Sequence, residues 1–268
     1  MASVSSLNMQ TIDVSRVDGV VAIVLNRPHK KNAVNAQMWD ELLETFREIS
    51  ERPEDRAVVI TGAGGDFCSG ADLSAADGET SRPRRHQLSV MRHITDVALA
   101  LHRLPQPTIA KVRGVAVGAG LNLALGCDLV AAGPTARFSE IFARRGLSVD
   151  FGGSWLLPRR IGMHRAKEMV LLAEILDAAE AERIGLVNRV VADDQLDDFV
   201  DDWARRLAAG PPIAIAQSKR LLNNAMAVTF EQALDDEGAA QTINFGTADT
   251  VEAMSAFVEK RSPTFRGW

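Results

Sequence analysis

The chain has 268 residues, 46% hydrophobic and 24% charged, with a formal net charge of −5 and a pI near 5.6. That is the composition of a globular protein long enough to bury a sizeable core, and its mild acidity gives no global reason to bind nucleic acid or an anionic membrane. Two cysteines, Cys68 and Cys127, offer neither a disulfide framework nor metal-ligand spacing, and they fit a reduced, cytoplasmic compartment. The opening MASVSSLNMQ lacks a basic region followed by an apolar run, so no signal peptide is expected.

In chain order, Asp18-Gly19 lies between two β-rich runs and predicts a hairpin, with Pro28 ending its second strand. Asn35 can cap a helix whose apolar face is Met38, Leu42, Leu43, Phe46 and Ile49. Ala57 to Thr61 reads as a short buried strand running into a Gly-rich turn, Gly62 to Asp72. Ala75 to Arg85 is polar, and its Arg82, Arg84 and Arg85 fit a solvated loop better than a phosphate site. Leu88, Met91, Ile94, Val97, Leu101 and Leu104 mark a helix stopped by Pro105 and Pro107. Thr108 to Val112 and Leu129 to Ala132 are predicted strands.

Helices are expected over Trp155 to Arg159, Arg165 to Leu172 and Ala178 to Ile184, with a last strand over Asn188 to Val191. From Leu196 onward the chain reads as helices only. The alternation defines an α/β class, divided into a core over 1–195 and a helical region over 196–268. The acidic run Asp193, Asp194, Asp197, Asp198, Asp201 and Asp202 lacks EF-hand spacing and reads as a solvated helix face, favourable at the N-terminal end.

Between those two strands lies VRGVAVGAGLNLALGCDLVAA, Val112 to Ala132. Arg113 and Asp128 bracket it too tightly for a membrane span, and Asn122 interrupts it. A buried core helix, and a helix N-terminus whose free N–H groups face a ligand, both remain open. The two Gly-rich turns share one property, small side chains that let the backbone be approached closely. The first lacks the final Gly or Ala of a dinucleotide fingerprint, since Phe67 stands there, and neither a P-loop nor a G-x-S-x-G elbow is present. The turns are either tight bends in a packed core or a pair of main-chain donors converging on one oxygen.

The segments LNRPHKKNAVN (Leu25 to Asn35), GDFCSGADL (Gly65 to Leu73), Gly114 to Asp128, ARFSEIFARRGLSVDFGGSWLLPRRIG (Ala136 to Gly162) and AAEAERIGLVNRVV (Ala178 to Val191) occur in this order over nearly the whole chain. Together they resemble the crotonase superfamily, the enoyl-CoA hydratase/isomerase family. The resemblance implies a crotonase-type spiral of ββα units with a C-terminal helical region, a homotrimer or dimer of trimers, and an acyl-CoA thioester as substrate. It implies no cofactor beyond the coenzyme A carried by that thioester. By the same resemblance, the N–H groups of Ala71 and Ala119 form an oxyanion hole. Lys31, Asn32 and Ala33 lie along coenzyme A, as does the backbone of Cys68, Ser69, Gly70, Asp72 and Leu73. Phe265, with nearby Lys260, matches a C-terminal region that can reach a coenzyme A site.

Hydratases of the family use two glutamates, and their positions fall here on Asn122 and Phe142. An amide cannot take a proton, and a phenyl ring can neither take one nor orient water. Asp150 matches the aspartate of family isomerases and of a dehalogenating branch. A single carboxylate beside an enolate suits proton transfer between two carbons, and a mostly apolar pocket raises its pKa toward the working range. The alternative role for Asp150 is to cap the helix at Gly152-Gly153. Glu140 is a second acidic candidate that a local backbone shift would bring into the pocket, and Asn122 can bind substrate or water or satisfy a helix terminus. The resemblance therefore favours isomerisation over hydration, with a non-catalytic acyl-CoA-binding homologue as the alternative of another class. The acyl group itself depends on the Leu73 to Leu88 region.

Overall fold

The computed structural model of the chain describes residues 9–73 and 86–268, so Arg82, Arg84 and Arg85 lie outside the described residues. Strands β1 (Ile12–Val17) and β2 (Val20–Leu25) form the hairpin, turning on Asp18 and Gly19 with φ of 50° and 79°. Two consecutive positive φ values make a turn whose twist matches the strands it joins. Helix α1 (Ala36–Glu51) follows, with the Asn35 side chain accepting from the Met38 N–H at 3.0 Å.

The main sheet continues through β3 (Ala57–Gly62), then across α2 (Gln87–His102) to β4 (Thr108–Val112). After β5 (Val115–Val117) and α3 (Ala119–Gly126), it takes in β6 (Leu129–Ala132) and, much later, β9 (Arg189–Val190). Its order is β1-β2-β3-β4-β6-β9, antiparallel only at β1–β2. A second sheet pairs β5 with β7 (Arg137–Ser139) and β7 with β8 (Leu176–Asp177). These strands, of two or three residues each, are too short to leave a period in the sequence. Helices α4 (Gly153–Ile161), α5 (Met163–Leu172) and α6 (Ala178–Arg183) fill the interval between β7 and β9.

Alternation along the parallel strands divides two apolar layers. Val58, Ile60, Ala110, Val112, Val130 and Ala132 face the main core, with α1 and α3. Val59, Ile109 and Ala131 face the other way, onto α7 (Leu196–Ala208). The helix meets them with Leu196, Val200 and Ala204, a four-residue spacing that makes one stripe. The acidic run is therefore only partly a solvated face. Asp197 takes Lys111 Nζ at 2.6 Å and Arg113 Nη1 at 3.0 Å, fastening α7 to the end of β4, and the two cations hold its carboxyl down at about 2.

The remaining helices are α8 (Pro212–Asn224), α9 (Phe230–Phe245) and α10 (Ala248–Glu259). They bury little: Phe245, Phe257 and Val258 are 68%, 85% and 78% exposed. Among the described residues no helix is long and apolar enough to cross a membrane, and no cluster of three His, Cys, Asp or Glu side chains is placed to hold a metal.

Candidate active site

The two Gly-rich turns meet. The first runs alongside β5 as a short parallel partner, with Cys68 opposite Ala116. The Cys68 N–H donates to the Val115 carbonyl at 2.9 Å, and the Val117 N–H donates to the Cys68 carbonyl at 3.0 Å. Beyond this pairing both chains bend on a glycine in the left-handed region, Gly70 at φ 96° and Gly118 at φ 56°. A Cβ on Gly70 would stand 2.9 Å from the Val117 carbonyl oxygen and 3.8 Å from the Ala119 nitrogen, so the bends are in contact. Gly120 is as constrained, since a Cβ there would fall 2.3 Å from the Cys68 carbonyl oxygen.

Ala71 and Ala119 each follow one of these glycines. Val34 donates to the Gly70 carbonyl and accepts from the Asp72 N–H, so it pairs with the neighbours of Ala71. In a parallel ladder this turns the Ala71 N–H to the opposite side. Ala119 opens α3, where the first N–H groups have no partner inside the helix. Among the described residues neither the Ala71 nor the Ala119 N–H reaches an acceptor. Two free main-chain donors beside a helix N-terminus can hold a carbonyl oxygen that gains negative charge.

Carboxylates and an amide lie further along α3 and in the segment after β7. Asn122, fully buried, donates from Nδ2 to the Asp150 carbonyl at 3.0 Å and stands 3.4 Å from Glu140 Oε2. Its side chain lies on Gly153, where a Cβ would come within 2.5 Å of Nδ2. Glu140 is fully buried against Asn122. Asp150 does not cap α4: the N-cap is Gly152, and no side-chain bond is made there. Instead Asp150 Oδ1 is buried without a partner among the described residues, and burial pushes the carboxyl up to about 6.

The Asp150 segment is braced from its other end. Phe151 stacks on Trp39 with ring centroids 5.1 Å apart and holds φ at 47°, a left-handed conformation uncommon for a bulky residue. Trp39 and Phe151 carry no sequence signal beyond hydrophobicity, so the bracing was not legible. Phe142 packs close to Gly118, its Cζ 3.6 Å from where a Cβ would be. It places a ring beside the second bend.

The residues expected along coenzyme A divide by what their side chains already do. Asn32 is fully buried and bonds the Arg27 N–H and the Ala63 and Asp66 carbonyls, so its amide clamps the two loops together. The Ala33 carbonyl accepts from the Arg27 guanidinium, which also pairs with Asp72 at 2.8 Å. Lys31 is exposed, in the left-handed region, and 3.6 Å from Asp66 Oδ2. Ser69 bonds the Lys30 carbonyl. Cys68 is buried with its thiol pushed up to about 12, which leaves its backbone rather than its sulfur to act. Leu73, exposed, closes the described part of this loop. Phe265 lines a separate surface pocket of about 350 Å³ with Pro211, Ile213, Met254 and Phe257, and Lys260 ends α10 in the open.

Residues 15–267 match the enoyl-CoA hydratase/isomerase family. The 1,2-epoxyphenylacetyl-CoA isomerase of Escherichia coli is 38% identical over 93% of this chain and 95% of that relative. The short-chain-enoyl-CoA hydratase of Clostridium acetobutylicum is 36% identical over 91% and 93%. A crystal structure of an enoyl-CoA hydratase from Bacillus anthracis superposes with a TM-score of 0.90 at 32% identity, covering 97% of this chain and all of that one. The chain belongs to the enoyl-CoA hydratase/isomerase family, has the crotonase fold, and is an enzyme of that family.

Proposed function

We propose that this enzyme isomerises an acyl-CoA thioester through an enolate, moving a double bond or opening a strained ring, with Asp150 as the proton shuttle. The thioester carbonyl oxygen accepts from the N–H groups of Ala71 and Ala119. The Asp150 carboxylate removes a proton from C2 of a 3-enoyl group, and the electron pair moves onto the carbonyl oxygen as the enolate forms. The same carboxyl, now protonated, delivers its proton to C4, and the double bond ends between C2 and C3. Atoms balance without water or any cofactor other than the coenzyme A of the substrate.

The observation carrying this reading is Asp150 itself, a half-buried carboxylate with an oxygen unpartnered among the described residues and a pKa near 6, while Phe142 sets a ring rather than a carboxylate beside the Gly118 bend. A base with that pKa is ionised at neutral pH and strong enough to take a proton from a stabilised carbon acid. The E. coli relative named as an isomerase supports it. A second reading, hydration, is favoured by the nearness of a second carboxyl, Glu140, and by relatives named as hydratases.

Lys31, Asn32, Ala33 and the Cys68 to Leu73 backbone would flank coenzyme A. We place the enzyme in the cytoplasm as a homotrimer or dimer of trimers. The 196–268 region then serves assembly and site cover, consistent with the apolar side chains it leaves exposed on α9 and α10. One assay separates the readings: 3-enoyl-CoA and 2-enoyl-CoA in deuterated water, with products resolved by mass. Interconversion without a 3-hydroxyacyl product supports isomerisation. A 3-hydroxyacyl product as the main outcome replaces it with hydration, and tight binding without turnover or exchange points to a non-catalytic homologue.

A further inference from the structure

Asn122 and Glu140, both fully buried, leave one polar atom each without a partner among the described residues, Asn122 Oδ1 and Glu140 Oε1. Turning the amide over does not solve this. Its Nδ2 must face the Asp150 carbonyl, 3.0 Å away, because a carbonyl oxygen only accepts. The side chain is also pressed on Gly153, which leaves it no room to move that way. With Glu140 ionised, the pair would be a buried carboxylate meeting an amide through one long 3.4 Å contact, with no cation against it among the described residues.

A single proton changes the arrangement. A carboxylic acid has one O–H donor beside one carbonyl acceptor, and a primary amide presents the complementary edge. The two can close a cyclic pair in which Oε1–H donates to Oδ1 while Nδ2–H donates to Oε2. Both unpartnered atoms are then satisfied together, and the amide keeps its second hydrogen for Asp150. We propose that Glu140 is a neutral carboxylic acid paired with the Asn122 amide, and that this acid–amide pair is a positioning device holding the Asp150 segment for proton transfer. The proposal rests on Asp150 being the shuttle. Glu140 touches no reacting atom; it acts through Asn122, whose amide holds the Asp150 carbonyl.

The surroundings agree with a neutral Glu140. Burial pushes it up, Asn122 opposes this, and the Asp150 carboxylate pushes it further, to about 8 overall. Among the described residues no cation offsets this. Arg144 and Arg145, just after it, are exposed, as are His164, Arg165, Lys167 and Glu168 of α5. On α4, Arg160 is committed to the Leu125 and Cys127 carbonyls, and Arg159 lies 3.9 Å over the Trp155 ring.

The test combines infrared difference spectroscopy with kinetics on the full-length protein. Wild type minus Glu140→Gln is expected to show a protonated-carboxyl band at pH 7 that fades with a midpoint near pH 8. Glu140→Ala is expected to lower kcat at least ~10-fold with little change in KM, the scale of one lost positioning contact. Glu140→Gln, whose amide keeps both a donor and an acceptor, recovers most of that loss and moves the alkaline limb of the pH profile up. Absence of the band at pH 7 overturns the pair, whatever Asp150 does, because the band needs no turnover. A Glu140→Gln variant as slow as Glu140→Ala, or with an unmoved alkaline limb, overturns the positioning role. Full activity in Asp150→Asn overturns that role too, and would do so with the band still present.

Discussion

The site has two halves built in opposite ways. The donor half is backbone: Ala71 and Ala119 contribute N–H groups, and glycines at 70, 118 and 120 let two chains approach. The carboxyl half is side chain: Asn122 comes from α3, Glu140 and Asp150 from the segment between β7 and α4, and they lean on Gly153, Trp39 and Phe151. The first half is insensitive to what its side chains are and sensitive to whether a Cβ or an imide nitrogen fits. The second is sensitive to single atoms. An oxygen exchanged for a nitrogen decides whether a proton can be carried there.

That contrast sets the order of expected effects. Asp150→Asn keeps shape and removes the base, and is expected to lower kcat by ~10²–10⁴ with folding unchanged, measured by turnover of 3-enoyl-CoA and by circular dichroism. Ala119→Pro acts on the other half. Proline is accepted at the first position of a helix, so α3 survives while one donor disappears, and kcat is expected to fall by ~10²–10³. If that variant works normally, the Ala119 N–H holds nothing in the transition state.

The pH profile probes the carboxyl half alone. With Asp150 near 6 as the proposed base, kcat/KM is expected to fall about tenfold per unit below that value. Glu140, near 8, gives the opposite limb. A profile flat from pH 5 to 9 contradicts both assignments.

Stability gives a smaller and independent reading. An acid whose pKa is raised in the folded state stabilises that state below its unfolded value, and loses this as pH rises toward the folded value. Holding Glu140 neutral at pH 7 against an ordinary value of 4.5 costs on the order of 3 kcal/mol. Glu140→Gln should therefore raise Tm at pH 7, by several degrees at most, with the gain shrinking to nothing near pH 4. A lower Tm at both pH values counts against a neutral Glu140. The smallest effect belongs to Ala71→Gly, which keeps the N–H and should change kcat less than ~3-fold, whereas Ala71→Pro should cost as much as the loss of a donor.

The same contrast explains how much was legible in the sequence. The backbone half was: glycine spacing after a strand is a local signal, and so were the Asp18-Gly19 hairpin and the Asn35 cap. The family resemblance then assigned the two alanines. Much of the rest depends on contacts between distant residues. Asn122 meets Glu140 and Asp150 across 18 and 28 positions, and nothing in their local pattern encodes it. The acidic run read as solvated, yet Asp197 finds Lys111 and Arg113 more than eighty residues back. Phe151 looks like an ordinary hydrophobe until its backbone angle is seen. Asn32, placed along coenzyme A by resemblance, turned out to have an amide fully engaged in loop contacts.

The central claim is that one carboxylate carries a proton between two carbons beneath a main-chain oxyanion hole. Its most direct test follows 3-enoyl-CoA in deuterated water with wild type and Asp150→Asn, scoring deuterium at C2 and C4 by mass and nuclear magnetic resonance. The account predicts conjugated 2-enoyl product with wild type, its new C4 hydrogen coming from C2 and replaced by deuterium only where Asp150 exchanges with solvent before delivery, and neither product nor exchange at C2 with the variant. Unimpaired conjugation and exchange by Asp150→Asn would contradict it.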